Sequence, residues 1–157
     1  MFEDLDIPKN FREELLPLLR ALINLQDEVV AITSKFKRRS FYFVPTLLTL
    51  PSSHYTGQAL HSYAASGVSR FIDLITVAGR GEHHSNDMCK TPVDQLRFVI
   101  DYDYDTVRED LEDIKGAIEV GSEDGLKERQ EQYRANTVKR MEKDYPAFAQ
   151  ARRSRMH

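Results

Sequence analysis

Near the start of the chain apolar residues recur at Leu15, Leu18, Leu22, Leu25, Val29, Ile32 and Phe36, in steps of three and four that alternate without a slip. A helix puts that spacing on one side, because an α-helix turns once in about 3.6 residues and a 3.5-residue repeat keeps its seam facing one way. Leu16, Leu19, Ile23 and Val30 widen the stripe beyond a two-stranded seam, which predicts a bundle helix with more than one neighbour. Asn10 and Glu13 have capping-box spacing, while Pro17 lacks the N–H that a helix starting there would need. The expectation is a short turn over 10–15, then a main helix with Pro17 in its first turn, ending near Arg39.

Further along, Phe41, Tyr42, Phe43, Val44, Leu47, Leu48 and Leu50 surround Pro45 and precede Pro51. Proline removes a backbone donor and fixes φ, so the apolar stretch 40–53 is expected as a buried extended connection or a short helix between the prolines. Leu60, Tyr63, Ala64, Val68, Phe71, Ile72, Ile75 and Ala78 then predict one helix over about 55–78, closed by Gly79. Thr91-Pro92-Val93-Asp94 reads as a helix start: hydroxyl cap, proline at the first position, acid in the first turn. The apolar period continues from Val93 to Ile118 and Gly121. Leu96, Phe98, Ile100 and Tyr102 also alternate as a strand would, but the cap and the longer period favour helix. A last helix over about 124–145 carries a thin stripe of Leu126, Tyr133, Val138, Met141 and Tyr145 before Pro146.

These segments predict an all-α fold, either a four-helix bundle or an irregular helical array, with the proline-bounded segment 40–53 packed across it. The 157 residues suit one helical domain over 1–145 followed by a basic tail, 146–157. Hydrophobic residues at 41% exclude wholesale disorder. The one cysteine, Cys89, cannot form an internal disulfide, and no apolar run reaches the roughly 18 residues of a membrane span, so a cytoplasmic protein without a membrane partner is expected. No phosphate-binding glycine loop, dinucleotide fingerprint or nucleophile elbow is present, and nothing points to a cofactor.

Charge is segregated beneath a net value of -3. Residues 1–34 hold seven acids and three bases, 35–99 four acids and eight bases, 100–125 ten acids and two bases, and 126–157 four acids and nine bases. Such blocks either neutralise one another inside the fold or face different partners. Lys35, Lys37, Arg38 and Arg39 stand beside Phe36, Phe41, Tyr42 and Phe43, a mixture suited to holding phosphates while rings stack on bases. Cations at a helix end also complement its dipole. A second basic group comprises Arg134, Lys139, Arg140 and Lys143, then Arg152, Arg153 and Arg155.

Three other patterns fail at diagnostic positions. Ser66-Gly67-Val68-Ser69-Arg70 is similar to the turn of a helix-turn-helix, but Tyr63 and Asp73 occupy positions that need a small and a β-branched residue, and an uninterrupted helix is expected. Asp101, Asp103, Asp105, Glu109 and Glu112 have calcium-loop spacing, yet Thr106 stands where glycine must turn the loop. A solvated acidic helix face is expected, with Thr106 and Glu109 as a second capping box. His83, His84, Asp87 and Cys89 lie in an exposed loop over 80–90, where histidines without a ligand are the expectation and no metal site is assigned.

The functional reading from sequence is a small regulatory or accessory protein that binds nucleic acid through Lys35, Lys37, Arg38 and Arg39, aided by Arg152 and Arg153. Two alternatives stand beside it. One is a non-enzymatic interaction module or homo-oligomer, in which Leu22 and Val29 join a partner helix and Asp101, Asp103 and Asp105 meet a basic partner. The other is a metal-dependent or Arg/His hydrolase centred on 80–89, with Arg80 and His84 as its phosphate-binding and acid/base groups. No catalytic residue is assigned.

Overall fold

A computed structural model describes residues 7–43, 54–83, 89–120 and 123–145, with side chains for all of these except 120 and 123–127. The regular structure among the described residues is helical apart from one short antiparallel ribbon. In chain order they form α1 (Lys9–Thr33), β1 (Ser40–Tyr42), β2 (His54–Thr56), α2 (Gly57–Ala65), α3 (Gly67–Gly79), α4 (Pro92–Phe98), a π-helical turn (Val99–Asp103), α5 (Tyr104–Val120) and α6 (Glu123–Asp144).

Pairings between helices fix the directions of these rods. Thr33 meets His61 and Gln26 meets Val68, while a Cβ on Gly79 would touch Ile7, so α2 and α3 run antiparallel to α1. Arg97 pairs with Glu14 and Lys115 with Glu28, so α4 and α5 run parallel to it. Arg129 reaches Glu109 and Arg140 reaches Asp105, which returns α6 along α5. The result is an all-α array running up, down, up, down. Among its described helices none is long and apolar enough to cross a membrane.

The core lies between α1, α3 and α5, where Leu15, Leu22, Val29, Phe71, Ile75, Leu111 and Ile114 are shut off from solvent. Each such side chain stabilises the fold by roughly 1.5–3 kcal/mol relative to exposure. The heptad period of α1 is therefore satisfied within the chain. Among its described side chains helix α6 adds none to this core; its Met141 and the following Tyr145 pack instead on a smaller cluster of Cys89, Phe98 and Tyr102.

Several sequence expectations are corrected. Helix α1 begins at Lys9 and contains Pro17, rather than starting after a separate turn. Pro17 and Glu13 both face solvent, so water can take the Glu13 carbonyl that proline leaves without a donor. The helix ends at Thr33, six residues before Arg39, and the chain continues through 34–39 in tight turns. The predicted 55–78 helix is broken at Ser66. Arg70 lies over the Tyr63 ring at 3.7 Å, donates to the Tyr63 carbonyl at 2.7 Å and bonds Ser66 Oγ, which closes the end of α2. Gln26 Oε1 accepts from Val68 N at 2.7 Å and so supplies the acceptor that opens α3.

The start at Thr91-Pro92 is as expected, with Asp94 N donating to Thr91 Oγ1 at 3.1 Å. Residues 95–102 are helical, but the helix widens into the π turn at Val99–Asp103. Tyr102, Asp103 and Tyr104 are consecutively buried there: Tyr104 packs on Phe71 of α3, and Tyr102 on Tyr145 beyond α6. The Thr106–Glu109 capping box does not form, because Thr106 Oγ1 donates back to the Tyr102 carbonyl inside a continuous helical run. The start of the 40–53 stretch is extended, one of the two forms expected for it, and it is paired: Ser40, Phe41 and Tyr42 face Thr56, Tyr55 and His54. Val44, Pro45, Leu47, Leu48, Leu50 and Pro51 lie outside the described residues.

Candidate functional site

The basic segment sits where α1 gives way to β1. Phe36 N donates to the Thr33 carbonyl and Arg39 N to the Phe36 carbonyl, which folds 34–39 into a compact turn. The start of α2 clamps it: Gly57 N donates to the Arg39 carbonyl at 2.7 Å and Gln58 N to the Lys37 carbonyl at 2.9 Å. Backbones approach so closely that a Cβ on Gly57 would lie 1.9 Å from the Phe36 carbonyl oxygen. Glycine is needed there for space. Those two amides of α2 are occupied by carbonyls, so the helix start offers neither to an anion.

Lys35, Lys37, Arg38 and Arg39 are all exposed on this turn. Among the described residues none of the four has an acidic partner, in contrast to the acid-paired Arg97, Arg108, Arg129 and Arg140. The Arg39 guanidinium stands 5.2 Å from the Phe41 ring centre and 6.0 Å from that of Phe36. Ser34 and residues 35–39 line a shallow, open cleft of about 320 Å³ that includes Phe36. Arg152 and Arg153, expected to assist, lie outside the described residues, as does Arg155.

The acidic block has a different fate. Asp105 accepts from Arg140 at 3.0 Å; Asp101 lies 3.6 Å from Arg97; Glu112 accepts from Arg108 at 3.0 Å. Glu109 and Asp113, one turn apart and buried, share Arg129 of α6 at 3.2 and 3.4 Å, and Gln130 donates to Asp113 at 3.1 Å. Asp113 Oδ1 makes no hydrogen bond, and burial together with the neighbouring Glu109 charge pushes its carboxyl up to about 7. Asp110 is fully buried and accepts from the Tyr63 hydroxyl at 2.9 Å; burial and the Asp110 charge raise that phenol. A freely solvated acidic face is thus corrected to one largely engaged by the chain's own arginines. Asp101 is exposed, Asp105 half-buried and Asp103 buried. Leu22 and Val29, expected to meet a partner helix, have no surface left for one.

His83 is not an exposed loop histidine either. It is 7% exposed, its Nε2 lies 2.7 Å from Asp103 Oδ2, and its ring packs on Phe98 at 5.6 Å between centroids. The π turn places Asp103 beside it. Gln95 ties the segment down, accepting from His83 N at 2.8 Å and donating to the Gly81 and Cys89 carbonyls at 3.3 Å. Cys89 is buried. His84 and Asp87 lie outside the described residues, and among those described no three His, Cys, Asp or Glu side chains gather as metal ligands. The Asp103–His83 pair is missed by sequence reading because its members are twenty residues apart, on a loop and on a helix whose bulge no local pattern marks.

Comparison with protein-family models, curated proteins and solved structures finds no match for this chain.

Proposed function

We propose that this protein binds nucleic acid through the cationic turn Lys35–Arg39. The observation that carries the reading is the contrast in pairing: four exposed cations without an acidic partner among the described residues, on a turn held in shape by the close approach of Gly57. A helix dipole accounts for little of this, since charge at a helix end contributes about 0.3–1 kcal/mol and acts within the last turn. Phosphates approaching the turn would displace counterions, and the attraction would weaken steeply with salt. The test is light scattering coupled to size exclusion, with and without a mixed-sequence oligonucleotide, at low and physiological salt. A mass increase that fades as salt rises supports the reading; an unchanged mass at low salt refutes it.

Self-association is a second reading. Leu16 and Ile23 are 47% and 39% exposed and lie one heptad apart on the outer side of α1. They replace Leu22 and Val29 as the residues a partner helix would meet. A mass that stays monomeric over a hundredfold range of concentration removes this reading.

A further inference from the structure

We infer that the cleft over Lys35–Arg39 takes an unpaired nucleotide of a single strand, its base against Phe36 and the flanking phosphates on the four cations. This rests on the proposed nucleic-acid function and narrows it. The reason lies in the apolar group set among the cations. A duplex presents phosphates along its outside and keeps its base faces stacked, so cations on an open surface suffice to bind it. Here the cations line a shallow, open cleft of about 320 Å³ that also contains Phe36, so an apolar group lies among the phosphate-binding charges. Its apolar lining residue is Phe36, which is half-buried and also packs on the core. A planar base fits such a ring through its π face whatever its sequence, as in proteins that hold single strands by stacking.

The turn is shaped before any strand arrives. The Gly57 and Gln58 amides grip the Arg39 and Lys37 carbonyls, so little backbone order remains to be imposed on binding. Arg39 stands over the same ring at 6.0 Å, within reach of both a phosphate and the edge of a stacked base.

The test is a fluorescence-anisotropy titration of the intact protein with three probes: a twelve-nucleotide single strand, the same strand made abasic throughout, and its duplex. The expected order is single strand tightest, with roughly tenfold weaker binding of the abasic strand and of the duplex. Phe36→Leu, which keeps an apolar side chain for the core but removes the π face, should reduce single-strand affinity by a similar factor and leave the salt dependence unchanged. Equal binding of the intact and abasic strands, or a duplex that binds as tightly as the strand, overturns the inference and leaves the cationic reading in place. If none of the three probes binds at low salt, the nucleic-acid reading itself falls.

Discussion

The two strongest charge blocks, basic 35–39 and acidic 101–113, look equivalent as strings of residues, yet the fold treats them oppositely. The acidic block lies along a helix that receives α6 on one flank, so Arg129 and Arg140 arrive opposite Glu109, Asp113 and Asp105. The basic block lies in a turn between elements, where it faces no acid among the described residues. A charge run therefore becomes a surface or a seam according to whether another element packs over it. Only the first kind is left to attract a partner.

The largest expected effect tests how rigidly the basic turn is held. Gly57→Ala places a methyl group against the Phe36 carbonyl and should destabilise the fold by about 3 kcal/mol, read as a lower urea midpoint. An unchanged midpoint would mean the clamp yields and the turn is not held. Next, Tyr63→Phe removes a hydrogen bond to fully buried Asp110 and should cost about 1–3 kcal/mol in the same experiment. A cost near zero would show that the acidic helix does not depend on this partner.

Asp113 makes the stability of the acidic helix depend on pH. Its folded carboxyl holds a proton up to about 7, against an ordinary 3.8, so between those values the folded chain binds more protons than the unfolded one. Stability should fall as pH rises through that window. Asp113→Asn should therefore stabilise by about 1 kcal/mol at pH 8 and change little at pH 4, with thermal melts at both pH values as the measurement. Destabilisation at pH 8 would mean that Arg129 more than compensates the buried charge. The smallest effect belongs to the exposed pair of Arg97 and Glu14: Glu14→Gln should cost less than about 1 kcal/mol and shrink further in salt.

Much of the architecture is legible in sequence because it is periodic. The heptads of α1 and the Thr91-Pro92 start each announce a helix through local chemistry, and the last helix shows its thin stripe even though its docking is mostly polar. The break at Ser66 is not local: it depends on Arg70 folding back on Tyr63 and on Gln26 arriving from α1. The ribbon pairs residues on either side of a proline-containing stretch, so neither strand signals its partner. Burial on both flanks of the π turn blurs the period at Phe98, Ile100 and Tyr102, which is why a strand reading competes there. For the site, the basic residues are visible as a cluster, but the absence of an acidic partner among the described residues and the grip of α2 on the turn depend on contacts distant in sequence.

The most direct test of the account is the salt dependence of single-strand binding for the wild-type chain and for a Lys37→Ala, Arg38→Ala, Arg39→Ala variant with unchanged helicity. On a single strand the slope of log affinity against log salt flattens by about 0.7 for each phosphate the protein ceases to neutralise. The slope should be flatter by roughly 2 in the variant. A variant that binds with the wild-type slope would place the cationic surface elsewhere and contradict it.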